Sequence, residues 1–133
     1  MKDYPNPLDW KRCKWNKIRD KVDMLTYQGG SITTTLARLV PGHKANPHKH
    51  EYEQLVIILQ GECDFYVDGV AYPMTAGCLL SIPPEAEHYV VAKGETPLLN
   101  LDIFYPKRPD RTQSRLADNE TEEARIALFC QDS

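Results

Sequence analysis

The sequence predicts an all-β protein, an antiparallel sandwich or small barrel, and three observations support that fold class. Short runs rich in β-branched and aromatic residues recur along most of the chain. Glycine and proline residues that favour turns separate these runs. No helical pattern lies between the runs, as it would in a protein with a parallel sheet.

Composition limits the class of protein. The chain has 133 residues, of which 41% are hydrophobic and 26% are charged, and this suits one domain with one core. The net charge of -3 gives no reason to expect a nucleic-acid partner. The apolar runs are too short to cross a membrane, and the first residues, MKDYPNPLDW, lack the apolar segment of a signal peptide. We therefore expect a cytoplasmic protein that binds neither nucleic acid nor membranes.

Residues 1–16 are expected to form an irregular arm, which Trp10 and Trp15 anchor onto the barrel. The segment from Lys11 to Lys21 contains six basic residues and one acidic residue. Such a charge pattern is typical of a solvated face or an edge strand.

Residues 17–108 are predicted to form the barrel itself. The pair Asp68-Gly69 predicts a tight hairpin between two of its strands. Strands this short and this closely spaced favour antiparallel pairing. The predicted strands are Ser31–Leu39, Gln54–Gln60, Cys63–Val67, Ala71–Met74, Cys78–Ile82, His88–Ala92 and Pro97–Tyr105.

Residues 109–133 are predicted to form a polar tail with one short helix over Asp118–Phe129. An acidic first turn and a small apolar stripe support this helix. A helix of this length is not stable alone, so it should pack on its own barrel or on a partner subunit.

The stretch NPHKHEYEQ, from Asn46 to Gln54, is the first candidate for a functional site. If it is extended, alternate side chains share one face. The residues of one parity are His48, His50, Tyr52 and Gln54. Both histidines and the Gln54 amide would then face the barrel interior, and Glu51 and Glu53 would face outward. A bulge in the strand would reverse the choice between Gln54 and the glutamates.

Two imidazoles at this spacing can bind one metal ion, but a third ligand must come from elsewhere in the chain. His88 is the stronger candidate because it follows a turn and opens a predicted strand, whereas His43 lies in a loop. The four cysteines are scattered, so we expect free thiols rather than zinc ligands. Taken alone, the two neighbouring histidines are as compatible with a solvated pair as with a metal site.

The wider spacing of these residues resembles the two signature motifs of the cupin family. Gly42 to Gly61 reads G-x5-H-x-H-x3-Q-x6-G, and Gly77 to His88 reads G-x5-P-x-E-x2-H. The usual family forms are G-x5-HxH-x3,4-E-x6-G and G-x5-PxG-x2-H-x3-N. The resemblance implies a single-domain cupin barrel, which is a jelly roll or double-stranded β-helix.

The chain departs from the family pattern at three positions. Gln54 stands where a glutamate is usual, Glu85 replaces a glycine, and Ala92 replaces an asparagine. The resemblance implies a divalent metal ion with these ligands: His48, His50, Gln54 and His88. Four neutral ligands leave the ion its full charge, which favours Lewis-acid chemistry on anionic substrates over redox chemistry. Nickel, zinc, manganese, iron and copper all suit such ligands.

The stretch DIFYPKRPD, which begins at Asp102, is the second candidate. Asp102 and Phe104 share a parity on the last predicted strand, and Arg108 follows a proline. An inward aspartate needs a reason, because burying a charge is costly. A role as general acid or base would supply one, and Arg108 could hold a carboxylate through two parallel hydrogen bonds. On the residues alone, an ion pair between Asp102 and Arg108, or pairs with surface groups, is the simpler interpretation.

The pattern D-x-F-x-P-x-R, together with HxHxxEQ, is similar to a smaller group of cupins, the pectin-degradation proteins that ketonise unsaturated uronates. This resemblance implies that Asp102, Phe104 and Arg108 form the catalytic and substrate-binding site. Tyr52 and Tyr66 are further candidates for substrate binding, although aromatic residues on barrel strands more often serve in packing.

Three alternative functions follow. The first is a metal-dependent isomerase- or lyase-type enzyme of carbohydrate metabolism, which opens or ketonises a small sugar acid. The second is a metal-dependent dioxygenase of a small diketone or aromatic substrate. The third is a non-catalytic cupin that binds metal or sugar. Each implies a small-molecule ligand, and the exposed edge of a barrel gives a reason to expect a homodimer.

Overall fold

Nine strands and one short 3-10 helix make up the part of the chain that the structure, a computed structural model, describes: residues 7–116. The helix is Trp10–Arg12 and the strands are β1 Asn16–Arg19, β2 Val22–Gln28, β3 Thr33–Leu39, β4 Glu53–Gln60, β5 Glu62–Val67, β6 Val70–Thr75, β7 Leu79–Ile82, β8 His88–Lys93 and β9 Leu98–Tyr105. The helix predicted over Asp118–Phe129 lies outside the described residues. Within them, no helix has the length and hydropathy that crossing a membrane requires.

The strands form two sheets, in which neighbouring strands pair antiparallel. The larger sheet has the order β1-β2-β3-β9-β4-β7, and the smaller has the order β6-β5-β8. Asp68 and Gly69 have φ values of +47° and +81°, and they join Val67 to its partner Val70 in a two-residue hairpin. The all-β prediction is confirmed, and each predicted strand is present with its ends moved by one or two residues.

β2 is a strand that the sequence patterns did not predict. Its Val22 belongs to the core between the sheets, whereas its Leu25 belongs to a second apolar cluster on the opposite face of the sheet. A strand covered on both faces lacks the apolar–polar alternation that identifies a half-buried strand. β1 lies at the edge of the larger sheet, which is one of the two readings that the basic segment allowed.

Two apolar clusters stabilise the sheets. Val56 and Ile58 of β4 are fully buried in the main core, where they pack between the two sheets with Phe65 of β5. On the outer face of the larger sheet, Trp15 joins the second cluster and Trp10 packs against it. Of the amino-terminal segment, Leu8, Trp10, Cys13 and Trp15 therefore cover this face.

Glu85 lies in the turn between β7 and β8 with a φ of +67°. A left-handed backbone conformation costs a non-glycine residue about 1 kcal/mol. Glycine avoids this steric cost, although it loses more conformational entropy on folding, and that loss is the smaller of the two. We therefore expect Glu85→Gly to raise the free energy of unfolding by roughly 0.5–1 kcal/mol in urea denaturation. Glu87, which has no positive φ, provides the control: Glu87→Gly should lower stability. Equal destabilisation by both changes would contradict this account.

Candidate metal centre and active site

A cavity of about 370 Å³ lies between the two sheets. The inner faces of β4, β8 and β9 form its polar wall, and the segment after β9 closes one side with charged side chains. The polar residues that line it include His48, Gln54, His88, Asn100, Asp102, Arg108 and Arg111.

Three histidines converge beside this cavity, and two of them, His48 and His88, line it. His48, His50 and His88 each offer a ring nitrogen, and these atoms lie within 4.8 Å of one another. The backbones of His48 and His88 form a bridge, in which each N–H donates to the other's carbonyl at 3.1 and 2.8 Å. This bridge places a loop residue beside the first residue of β8. Such a group can hold a metal ion.

The loop that leads into β4 carries two of the three histidines. β4 begins at Glu53, so the extended strand assumed for His48 and His50 is not present, and Gln54 alone of the three lies on a strand. The N–H of Glu85 donates to the carbonyl of His50 at 2.8 Å and ties this loop to the turn before β8. Glu53 is exposed and Gln54 is buried, which is the arrangement the alternation predicted.

Main-chain carbonyls select the ring nitrogen that faces the cluster. The Nδ1 partners are Asn46 O at 2.6 Å for His48, Tyr52 O at 3.0 Å for His50 and Ala86 O at 2.9 Å for His88. A neutral ring that donates its Nδ1 proton has an unprotonated Nε2, the form that binds metal. Nε2 of His88 is buried without a hydrogen-bond partner among the described residues. A bound cation would satisfy this atom.

Gln54 lies beside the three histidines. Its Nε2 donates to Oδ1 of Asp102 at 2.9 Å, so its Oε1 faces Nε2 of His50 at 3.0 Å. Because His50 donates its Nδ1 proton to Tyr52, both facing atoms are hydrogen-bond acceptors. A second ring proton or a bound cation between these two acceptors would satisfy both. The residues present therefore fit a divalent metal ion.

Burial favours the neutral form of two of the clustered rings, His48 and His88. It lowers the pKa of His88 to about 4, and it also lowers the pKa of His48 below its usual value. Both rings are therefore neutral at neutral pH, with the proton on Nδ1 and none on Nε2, as metal ligands must be.

His43, the weaker candidate for the third ligand, lies outside this cluster. Its Nε2 accepts a hydrogen bond from the N–H of Ala92 at 3.1 Å, and its Nδ1 contacts the carbonyl of Lys44 at 3.2 Å. Both ring nitrogens thus contact main-chain groups, which gives His43 a structural role.

Asp102 lies beside the histidine cluster on the inner face of β9. Its Oδ1 accepts hydrogen bonds from Gln54 Nε2 and Asn100 Nδ2, both at 2.9 Å. Burial raises the pKa of Asp102 to about 6, against the opposing effects of these hydrogen bonds and of nearby arginines. A carboxyl group in this range can accept or release a proton near neutral pH. Asn100 escaped the sequence analysis, although it shares the parity of Asp102 and Phe104.

Arg108 does not pair with Asp102 but with the exposed Asp110, so of the simpler interpretation the pair with a surface group is observed for Arg108 and the mutual ion pair is not. Its Nε and NH2 instead donate to the two carboxylate oxygens of Asp110 at 3.2 and 2.9 Å. Its guanidinium lies over the rings of Phe104 and Tyr52, at 4.6 and 5.0 Å from their centroids. Its NH1 is buried without a partner among the described residues.

The remaining predicted site residues lie further out. Tyr66 stacks on Tyr89 with 4.5 Å between ring centroids, and neither Tyr66 nor Tyr52 lines the cavity. Tyr52 contacts the site through Arg108. Arg111 does line the cavity, and the sequence analysis did not consider it. Its position three residues after Arg108 in the sequence could have identified it as a candidate.

Comparisons with known proteins agree with this architecture. A family model described as cupin domain matches residues 35–104. An RmlC-like cupin from Shewanella frigidimarina superposes with a TM-score of 0.73 at 22% identity, covering 83% of this chain and 98% of that one. KdgF from Halomonas sp. superposes with a TM-score of 0.68 at 22% identity, covering 72% and 88%. At this identity the structures show the fold alone.

Two curated relatives are similar in sequence. Dimethylsulfoniopropionate lyase DddW of Ruegeria pomeroyi is 38% identical over 60 residues, which is 45% of this chain and 40% of the lyase. H2HPP isomerase of Bacillus subtilis is 29% identical over 68 residues, which is 51% of this chain and 29% of the isomerase. The matches therefore span less than half the length of either relative.

Proposed function

The chain belongs to the cupin domain family, and on that basis we propose that it is a metal-dependent enzyme of the isomerase or lyase type acting on a small carboxylated substrate. The position of Asp102 carries this proposal. Its buried carboxyl group is linked to the histidine cluster through one amide, that of Gln54, and faces a cavity that arginines also line. The two curated relatives, a lyase and an isomerase by name, support the reaction class.

The side chains around the cluster divide the proposed chemistry between them. A metal ion held by the three histidines and Gln54 would act as a Lewis acid on a substrate hydroxyl or carbonyl oxygen. Oδ1 of Asp102 accepts both of its hydrogen bonds, so Oδ2 is the oxygen that remains for proton transfer. Oδ2 of Asp102 would accept a proton from the substrate group adjacent to the polarised oxygen. It would then return this proton to a neighbouring carbon of the substrate. The net change is an isomerisation that needs no oxidant.

The substrate we propose is an unsaturated uronate or a related sugar acid. A cavity of about 370 Å³ is at the small end of ligand pockets, which suits a single sugar ring. The positive charges of Arg108 and Arg111 beside Phe104 favour a carboxylate. The motif D-x-F-x-P-x-R supports the same substrate class.

We also retain the homodimer as a proposal. β7 lies at the edge of the larger sheet, and its Leu79 is 61% exposed. An apolar residue on an open edge favours association.

The test is turnover of unsaturated uronate monomers by the full chain loaded with zinc, nickel or manganese. We expect the ultraviolet absorbance of the conjugated double bond to fall in proportion to metal content, without consumption of dioxygen. Dioxygen uptake would instead identify the oxygenase alternative. Binding of the sugar acids without product would refute the enzyme and favour a binding protein.

A further inference from the structure

The two arginines beside Phe104 differ in their carboxylate partners. Asp110 occupies the Nε–NH2 edge of Arg108 with both oxygens, and this is the edge that would otherwise hold a carboxylate through two parallel hydrogen bonds. Only the buried NH1 of Arg108 has no partner among the described residues.

Arg111 has no carboxylate partner among residues 7–116. Its NH1 contacts the sulfur of Met24 at 2.8 Å, and its guanidinium lies 5.4 Å from the centroid of Phe104. A sulfur atom is a weak acceptor, so this contact satisfies the guanidinium only weakly, and the nearby carboxylates of Asp102 and Asp110 stabilise its charge without an ion pair. Burial lowers the pKa of Arg111 and the neighbouring charge of Arg108 adds to that effect, whereas Asp102 and Asp110 oppose it.

The segment that carries both arginines is held firmly in place. Nε2 of Gln28 donates to the carbonyls of Arg108 and Arg111, each at 2.8 Å. The N–H of Arg108 donates to Oγ1 of Thr33 at 2.8 Å. These bonds tie the segment to β2 and β3, so both guanidinium groups are positioned before any ligand arrives. Such preorganisation reduces the entropic cost of binding.

We propose that Arg111 is the residue that binds the substrate's carboxylate, that NH1 of Arg108 is a second donor, and that Asp110 is a positioning residue for Arg108. The carboxylate would lie against two adjacent cations, whose mutual repulsion it relieves. The substrate class rests on the proposed function, whereas the assignment of Arg111 rests on the contacts of the two arginines. The sequence motif pointed to Arg108 alone.

Anion binding tests this assignment without turnover. The metal-loaded full chain is titrated by NMR with propanoate and with propanamide, which has nearly the same shape and no charge. We expect the wild type to prefer propanoate by about tenfold or more, as a charge-assisted contact provides. Arg111→Gln should lose most of this preference, keeping only the part that the charge of the metal ion provides, and leave propanamide binding unchanged. Arg108→Gln should reduce the preference only in part.

Two further variants serve as controls. Arg111→Lys keeps the positive charge but lacks the planar pair of donors, so it should retain part of the preference for propanoate. It also tests the role of Arg111 if the glutamine variant folds poorly. Arg115→Gln removes an exposed arginine of the same segment and should behave as wild type. The proposal is refuted if Arg111→Gln retains the full preference, or if the wild type does not distinguish the two probes. Arg111-dependent propanoate binding by a protein that turns over no uronate would refute only the proposed function.

Discussion

The double change His48→Ala/His88→Ala is expected to abolish metal binding. Two of the three converging nitrogens are lost, including the buried Nε2 of His88 that has no protein partner among the described residues. Loss of a group that merely orients a ligand costs about 10–100-fold in affinity, so loss of two ligands should exceed 100-fold. Elemental mass spectrometry of untagged protein, purified without chelators, measures the bound metal directly.

The matched control for metal binding is His43→Gln. His43 is also buried, but it lies outside the cluster, and a glutamine oxygen can still accept the hydrogen bond from Ala92. This variant should retain a full complement of metal. Equal metal content in the wild type and the double variant, with both folded, would show that the histidines form a polar pocket. Iron or copper in the wild type would strengthen the oxygenase alternative, whereas nickel, zinc or manganese would favour the isomerase.

The change Asp102→Asn is expected to lower kcat by about 100- to 10,000-fold while metal content stays at the wild-type level. Asparagine has nearly the same shape, and its Oδ1 can still accept the hydrogen bonds from Gln54 and Asn100. The amide cannot accept the substrate proton, so the loss should fall on the chemical step. Steady-state kinetics together with elemental analysis of the same preparation measure both quantities.

A matched control for the carboxylate is Asp64→Asn. Asp64 pairs with Lys93 at 3.3 Å on the smaller sheet and does not line the cavity. Its removal should leave kcat unchanged. Turnover by Asp102→Asn at the wild-type rate would remove Asp102 from the proton transfer and require another base.

The sequence by itself determined the features that depend on near neighbours. The hairpin at Asp68-Gly69 follows from two residues that tolerate positive φ, and strands β3 to β9 follow from short β-rich runs between turn residues. The spacing of His48, His50 and His88 identified the three residues that converge. These features depend on the order and spacing of residues along the chain, so sequence patterns and motifs were sufficient to predict them.

The tertiary structure alone decided the contacts that give the site its chemistry. Gln54 Oε1 faces His50 because the amide's other end is held by Asp102, which is 48 residues away in the sequence. The guanidinium of Arg108 pairs with Asp110 and not with Asp102, although the sequence offers both aspartates as possible partners. β2 is buried on both faces only because the arm and the smaller sheet cover it. Hydrogen-bond partners and burial depend on residues that sheet pairing brings together, and no local pattern records them.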